Sequence, residues 1–236
     1  MLVGRRGTMN LLAIDTAANL CAACVYDTGS QAELGRSVLD IGTGHAEKLM
    51  DVIAEALAQA EIGYPDLRAI AVSIGPGSFT GVRIGVSATR GFAMALNIPA
   101  TGVTTLDAIA GEARAAFPGR EILAVIDARR DEVYAAFYGG DGALREGPML
   151  TTVADVIGPA REFRPVLCGS AARMVAEAGG PEAAFDFGPL SATADIAVYA
   201  RLAASRGPGA ERPKPLYLRG AGAKAQTGFA LPRRAS

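Results

Sequence analysis

A glycine-rich turn contains the residues whose types and spacing come closest to a known chemical site. The turn consists of Gly75, Pro76, Gly77 and Ser78. It follows the apolar run Ala69 to Ile74, and a segment with helical spacing of apolar residues continues from it to Asn97. Backbone amides at the start of a helix bind phosphate where glycines let the ligand approach. The pattern predicts a strand, a turn and a helix, with anion binding at the turn as one interpretation.

The same turn does not complete any phosphate or nucleophile motif. The Walker pattern is absent, and Thr80 occupies the position of the third glycine in the dinucleotide motif. Pro76 and Thr80 also replace the two glycines that the nucleophile-elbow pattern G-x-S-x-G requires around Ser78. We therefore interpret Ser78 as the N-cap residue of the following helix.

Metal and nucleophilic chemistry have few candidate residues. The chain contains a single histidine, His45, and the residue four positions later on the same predicted helix is Leu49. Catalytic zinc sites use two or three histidines in most cases, and a serine–histidine pair could use only His45. The sequence predicts no catalytic residue and no metal site, and it leaves cofactor binding undecided.

Cys21 and Cys24 form a C-x-x-C pattern that could indicate a redox site. They lie in the segment LCAACVY, which reads as a strand, and residues three apart on a strand point to opposite faces. With Cys168 the number of cysteines is odd. We expect reduced thiols packed in the core.

The composition of the 236-residue chain is that of an ordinary globular protein. Half of the residues are apolar, 20% are charged, and the formal net charge is −1. Such a chain has no global basic field for nucleic acid, and no apolar run approaches the ~18 residues of a membrane span. Because the basic start MLVGRRGT is not followed by an apolar segment, we expect no secretory signal, no membrane contact and a cytoplasmic location.

The order of the predicted elements indicates a duplicated α/β fold. Three strands joined by tight turns (10–15, 20–26 and 33–39) precede a helix at 46–60, and the strand, helix and strand of residues 69–103 complete the order βββαβαβ. The stretches 122–142 and 164–180 partly repeat this order. We expect two halves with mixed sheets at 9–105 and 106–218, a helix at 193–205 that packs back on the first half, and flexible ends at 1–8 and 219–236.

Several stretches of the chain resemble a known family. The run IGPGSFTGVRIGVSATRGFAMALNIPATGVTTLDA, together with AIDTA, HAEKLM, VIDARRDEVYAAFY and PLYLR, is similar to the signature of the TsaB family. The order of elements also resembles the actin, hexokinase and Hsp70 superfamily, an RNase H-like fold. The resemblance implies a non-catalytic scaffold or activator subunit of the bacterial system that makes N6-threonylcarbamoyladenosine at position 37 of tRNA.

The family resemblance also implies a set of partners. TsaD, which transfers the threonylcarbamoyl group, would form a heterodimer with this chain and would carry ATP or ADP and a metal. TsaE, an ATPase, would join through the TsaB–TsaD pair, and tRNA would be contacted only through the complex. Without TsaD the chain would form a homodimer on the same surface. No tightly bound cofactor is expected on this chain itself.

The turn after the first strand departs from the pattern of superfamily members that use ATP. Those members carry D-x-G-x-T, in which the glycine lets backbone amides approach phosphate and the aspartate orients a metal. Here Asp15 is followed by Thr16 and Ala17, without the glycine. In the second half Asp127 is followed closely by Arg129, whose bulky side chain would crowd a phosphate. The resemblance therefore implies a degenerate nucleotide cleft.

Small residues form two rows on the 79–97 helix. Gly81, Gly85 and Ala88 make up one row, and Ser87 and Gly91 belong to the other. Each glycine inside a helix costs about 0.5–1 kcal/mol relative to alanine, so the rows need a structural reason. Close packing on the chain's own sheet is one reason, and close approach of a partner helix is the other.

From the family resemblance we predict that TsaD binds to two helices of the first half. On the 46–60 helix the predicted contacts are His45, Glu47, Leu49, Met50, Ile53 and Leu57. On the 79–97 helix they are Gly81, Arg83, Gly85, Ser87, Ala88 and Gly91, with Arg83 as a contact for an anionic group. An amphipathic stripe is also typical of a helix packed on its own core. On this hypothesis Gly85→Leu would leave the fold intact and abolish TsaD binding.

Other classes of function stay open at this stage. The alternative is a stand-alone ATP-dependent kinase or hydrolase of the superfamily, against which the missing glycine after Asp15 argues. A free-standing tRNA-binding module is disfavoured by the net charge and the few aromatic residues. The tail 219–236 has four basic residues and no acidic one, so it could touch tRNA phosphates, but we expect a solvated end.

Overall fold

A computed structural model describes residues 9–180, 182–207 and 212–219 of the chain. The predicted flexible ends at 1–8 and 219–236 lie outside these residues, except for Arg219. The first half contains strands β1 (Asn10–Asp15), β2 (Leu20–Asp27) and β3 (Ala32–Asp40), helix α1 (His45–Gln59), strand β4 (Leu67–Ser73), helix α2 (Phe79–Leu96), strand β5 (Ala100–Val103) and helix α3 (Thr105–Ala116). The predicted order βββαβαβ is confirmed here, with helix α3 as an addition.

The first half forms a five-stranded mixed sheet with the order β3-β2-β1-β4-β5. Strands β1, β2 and β3 form an antiparallel meander because tight turns join them, whereas β1, β4 and β5 are parallel and are connected through helices. The carboxyl ends of β1 and β4 therefore meet at one edge of the sheet, next to the turn that begins α2.

The second half repeats this arrangement in shortened form. It contains strands β6 (Ile122–Arg129), β7 (Glu132–Tyr138) and β8 (Leu144–Thr152), helix α4 (Val153–Phe163), strand β9 (Val166–Cys168) and helices α5 (Ala172–Gly179) and α6 (Ile196–Arg206). The sheet order is β8-β7-β6-β9. The last strand of the predicted βββαβαβ order is reduced to a single bridge between Leu167 and Phe187, so the second half follows the prediction only in part.

Helices α3 and α6 hold the two sheets together. Helix α6 packs against β1, β2 and α3, while α3 packs against β6 and β9 of the second sheet. Their apolar side chains merge with both sheets into one core, to which Leu106, Ile109 and Tyr199 contribute. The opposite face of the first sheet packs against α1 and α2 in a separate core.

The cysteines are buried in these cores rather than placed for redox chemistry. Cys21 belongs to the core under α1 and α2, and Cys24 belongs to the core between the sheets. The prediction that the two sulfurs lie on opposite faces of β2 is therefore confirmed. All three cysteines are free and buried, and burial raises the pKa of Cys21 to about 11.

Among the described residues, none of the helices combines the length and the apolarity that crossing a bilayer demands.

Candidate functional site

The turn before α2 is a helix cap. Ser78 is the N-cap residue, and its hydroxyl oxygen accepts a hydrogen bond from the backbone N–H of Gly81 at 3.2 Å. The carbonyl oxygen of Ser78 accepts the first helical bond, from Val82 N at 2.9 Å. The capping role explains the serine without any nucleophilic function.

Three glycines at four-residue intervals form a groove along the start of α2, and the turn after β1 fills it. A Cβ atom at Gly77 would overlap the carbonyl oxygen of Ala17, and one at Gly81 would overlap the carbonyl oxygen of Thr16. A Cβ atom at Gly85 would lie 2.5 Å from the Thr16 hydroxyl oxygen. Since glycine alone avoids these overlaps, the spacing of the motif G-x-x-x-G-x-x-x-G reflects the approach of the chain's own backbone.

Hydrogen bonds fix the β1 turn in this groove. The Thr16 hydroxyl donates to the carbonyl oxygen of Gly81 at 2.7 Å, and the backbone N–H of Ser78 donates to the carbonyl oxygen of Ala17 at 2.6 Å. The space that the glycines leave is therefore occupied by this chain. This arrangement favours close packing over the phosphate interpretation of the glycine turn.

Asp15, at the end of β1, is held by hydrogen bonds of its own. Its carboxylate accepts hydrogen bonds from the backbone N–H of Ala17 at 2.9 Å and from the hydroxyl of Thr193, which in turn contacts the Tyr199 hydroxyl at 2.7 Å. Burial raises the pKa of Asp15 in spite of these hydrogen bonds. Asp15 is thus tied to the segment that leads into α6.

A cleft of about 610 Å³ lies between the two halves. Residues 17–19 and 77–79 form one wall, and residues 126–129, Tyr134 and Ser170 form the other. The volume is in the range of small-molecule sites, about 300–1,000 Å³. Asp15 is not among the residues that line this cleft. The buried carboxylate of Asp15 therefore does not face a ligand there.

The hairpin between β6 and β7 forms part of the second wall. Arg129, Arg130 and Asp131 all have left-handed backbone angles, with φ of 66°, 58° and 62°. Asp127 accepts a hydrogen bond from Arg129 N at 2.7 Å, and Asp127 N donates to the Ser170 hydroxyl oxygen at 3.1 Å. The arginine predicted to crowd a phosphate does line the cleft.

Most of the α1 residues predicted at a partner interface lie in the chain's own core. Leu49, Ile53 and Leu57 are 2%, 0% and 4% exposed because they pack against the first sheet. His45 is also buried, and its Nε2 atom lies 3.2 Å from the carbonyl oxygen of Leu20. The interface prediction is therefore wrong for these four residues. Glu47 and Met50 are exposed.

The two small-residue rows of α2 have different surroundings. Gly81 and Gly85 are buried against Thr16, so their prediction as partner contacts is wrong, and Gly85→Leu would disrupt the fold rather than leave it intact. Ala88 is half-buried, whereas Ser87 and Gly91 are exposed, and a Cβ atom at Gly91 would meet no atom within 4 Å. Within the described residues, only the row of Ser87 and Gly91 is exposed.

Arg83 is exposed but already engaged. Its guanidinium carbon lies 3.5 Å from the centre of the Phe79 ring, and its Nε atom donates to the Tyr217 hydroxyl at 2.9 Å. Its predicted role as a contact for an anionic group therefore competes with contacts inside the chain.

Residues 212–219 dock as an extended strap across both halves, which the sequence analysis did not predict. The backbone N–H of Leu216 donates to the carbonyl oxygen of Ile74 at 2.8 Å, and Arg90 Nε donates to the carbonyl oxygen of Pro213 at 2.8 Å. At its end Arg219 donates to the Glu132 carboxylate at 2.7 Å. The stretch PLYLR was a recognisable signal, but its contacts depend on residues 87 or more positions away.

Comparisons with known proteins agree with this architecture. The sequence model of the family described as "TsaD: tRNA N6-adenosine threonylcarbamoyltransferase" matches residues 41–189. An uncharacterized protein of Mycobacterium bovis is 40% identical over 146 residues, which cover 62% of this chain and 66% of that protein. The Escherichia coli protein named "tRNA threonylcarbamoyladenosine biosynthesis protein TsaB" is 35% identical over 133 residues, 56% of each chain.

A solved structure shares the fold over nearly the whole chain. YeaZ from Pseudomonas aeruginosa has a TM-score of 0.71 and 27% identity, and the match covers 88% of this chain and 100% of that one. The chain aligns with less than two thirds of the length of either curated relative mentioned above.

The fold and the matches define the class of protein. This chain has a duplicated α/β fold, and because the matched family model spans more than half of it, the chain belongs to the family described as tRNA N6-adenosine threonylcarbamoyltransferase. Within that family its similarity is to the proteins named TsaB.

Proposed function

We propose that this chain takes part in threonylcarbamoyladenosine biosynthesis as a subunit that binds a TsaD-type transferase. The names of its relatives support the pathway. The observation that carries the binding role is the outer face of α2, defined as Thr80, Ile84, Ser87, Gly91, Met94 and Ala95. These six side chains carry no charge, the exposed Arg83 and Arg90 border them, and Met94 is 74% exposed.

The outer face of α2 has the properties of a helix-packing surface. Gly91 and Ser87 would let a second helix approach closely, and the exposed Met94 could fill gaps in an apolar contact. Met50 on helix α1 is a further exposed apolar side chain of the first half, with 48% of its surface accessible. A second copy of the chain could use the same outer face when TsaD is absent, which is the homodimer that the family resemblance implies.

Three features support a non-catalytic role for this subunit. The β1 turn fills the glycine groove of α2, Asp15 is tied to Thr193, and the ring of His45 is buried against a backbone carbonyl group. The groups that could have served phosphate, metal or proton transfer are thus used to hold the fold. Catalysis, ATP or ADP and the metal would then belong to TsaD.

The mechanism would be differential binding. A subunit that binds only the competent conformation of TsaD increases the population of that conformation, without contacting the reacting atoms. TsaE would join the TsaB–TsaD pair, and tRNA would bind to the complex.

Reconstitution of the modification reaction tests this proposal. With tRNA, TsaD, TsaE and the threonylcarbamoyl-adenylate donor present, we expect transfer to adenosine to be slow without this chain and to recover when it is added. A full rate of transfer in its absence would contradict the proposal.

The alternative function is a stand-alone kinase or hydrolase that uses the cleft between the halves. The cleft volume of about 610 Å³ is the observation that favours it. Calorimetric titration of the isolated chain with Mg-ATP separates the two functions, because tight binding with turnover would identify an enzyme.

A further inference from the structure

An exposed aromatic ring lies at the mouth of the cleft with no function assigned so far. Phe79 is 59% exposed, although it begins helix α2 and belongs to the GPGSF stretch. Arg83 covers one face of the ring at 3.5 Å, and the Tyr217 ring, itself 55% exposed, lies with its centre 6.0 Å away. These contacts hold the Phe79 ring in place while leaving much of it accessible.

Two arginines stand on the facing lip of the same cleft. Arg129 and Arg130 form the tip of the β6–β7 hairpin and are exposed. Within the part of the chain that the structure describes, neither guanidinium has an ion pair or a hydrogen bond. Both residues adopt left-handed backbone angles, which non-glycine residues rarely do and which are frequent at functional sites.

The acidic groups near this lip are partly engaged. Asp127 accepts a hydrogen bond from the backbone of Arg129, and Glu132 is paired with Arg219. Asp127 and Asp131 are both exposed beside the two arginines. Within the described residues, Arg129, Arg130 and Asp131 are therefore the charged side chains of this lip that no hydrogen bond or ion pair engages.

We propose that Phe79, Arg129 and Arg130 form a contact surface for single-stranded RNA, the anticodon loop of tRNA in the complex. This surface rests on the proposed function, because it supplies the chain's own share of tRNA binding. An unstacked base packs on the accessible face of Phe79, and the two guanidinium groups pair with the neighbouring phosphates. Aromatic rings and arginine side chains are the groups that proteins use for these two tasks.

Fluorescence anisotropy tests the surface with a labelled anticodon stem-loop RNA and the purified complex of the full chain with TsaD. We expect Phe79→Ala to weaken RNA binding roughly 5- to 100-fold, the range for loss of one base stack, and Phe79→Trp to retain it. Arg129→Ala with Arg130→Ala should weaken binding and reduce the slope of log affinity against log salt by about 1–2. Lysine at both positions should preserve most of that slope.

A matched control removes the same charge at the opposite ends of the sheets. Arg68 is the second residue of strand β4, and Arg164 precedes β9 with a left-handed φ of 47°. The Arg68→Ala, Arg164→Ala double variant should bind RNA as the wild type does. Equal loss in this control, or unchanged affinity in both the Phe79→Ala and the double hairpin variant, would overturn the proposal.

Two further measurements distinguish this proposal from the alternative explanations. Size-exclusion chromatography reports pairing with TsaD, and the RNA-binding variants should pair normally. If the wild type does not pair, the proposed function fails, and RNA binding by the chain alone with the same variants decides the surface. If excess Mg-ATP displaces the RNA from the wild type and Phe79→Ala weakens ATP binding, the occupant is a nucleotide, and the RNA proposal is refuted.

Discussion

Along helix α2, Gly81 and Gly91 are residues of the same type with opposite surroundings. Gly81 faces the carbonyl group of Thr16 so closely that no side-chain atom fits, while Gly91 faces open space. Both cost the helix conformational entropy. The difference shows that one glycine is needed by the chain's own fold, whereas nothing within the described residues uses the other.

The same contrast extends to the residues around each glycine. The inner side of α2 receives Thr16 and Ala17 through two hydrogen bonds, and Asp15 beside them is fixed to the α6 side of the protein. The outer face has Ser87, Met94 and Ala95 exposed without any such contact. A glycine-rich motif can thus combine an internal packing role with an external binding role on two faces of one helix.

Substitution of Gly81 should have the largest effect. We expect Gly81→Ala to lower the free energy of unfolding by about 3 kcal/mol or more, because overpacking against backbone cannot be relieved by a rotamer change. Urea denaturation monitored by circular dichroism measures this change in the free energy of unfolding. A loss below about 1 kcal/mol would show that the β1 turn can move away, which would weaken the contrast between the two faces.

The buried carboxylate of Asp15 should make stability depend on pH. Because burial raises its pKa in the folded state, the unfolded chain releases this proton first, near pH ~4. Stability from this group is present below that pH and falls as pH rises through the folded pKa, by up to ~1.4 kcal/mol per pH unit. Asp15→Asn should lack this decline.

Denaturation of both proteins between pH 4 and 7 checks this expectation, since other ionisable groups contribute equally to the wild type and the variant. The variant should gain stability relative to the wild type as pH rises. A constant difference across the range would show that the hydrogen bonds from Thr193 and Ala17 offset the burial of the charge.

Substitution of Gly91 should have the smallest effect and the opposite sign from Gly81. We expect Gly91→Ala to raise the free energy of unfolding by about 0.5–1 kcal/mol, since alanine restricts the unfolded chain and meets no atom in the folded one. The same urea experiment measures it. Destabilisation by Gly91→Ala would mean that the outer face is already packed in the isolated chain.

The regular part of the fold could be predicted from the sequence because it depends on local signals. Apolar runs and tight turns placed β1 to β4, and the period of apolar residues placed α1 and α2. Helix α3 was not predicted, strand β8 was predicted only as the third strand of the repeated order and without bounds, and the last strand of the second half is a single bridge in the structure. Such elements depend on long-range packing more than on a strong local pattern.

The candidate site could be predicted only in part for a related reason. The sequence identified the two rows of small residues on α2, but not which row faces inward, since that depends on how the β1 turn approaches. It also identified the Leu49, Ile53 and Leu57 stripe without showing that the first sheet covers it. The contact of Arg83 with Tyr217 joins residues 134 positions apart, beyond any local signal.

Binding of TsaD to a variant of the outer face shows whether this face is the partner surface. Isothermal titration calorimetry would compare the wild type with Met94→Glu, and with Phe163→Glu as a control at a 55% exposed apolar residue of the second half. We expect Met94→Glu to abolish measurable binding while its unfolding curve stays unchanged and the control binds normally. Wild-type affinity for Met94→Glu would contradict the assignment of the outer face of α2 as the partner surface.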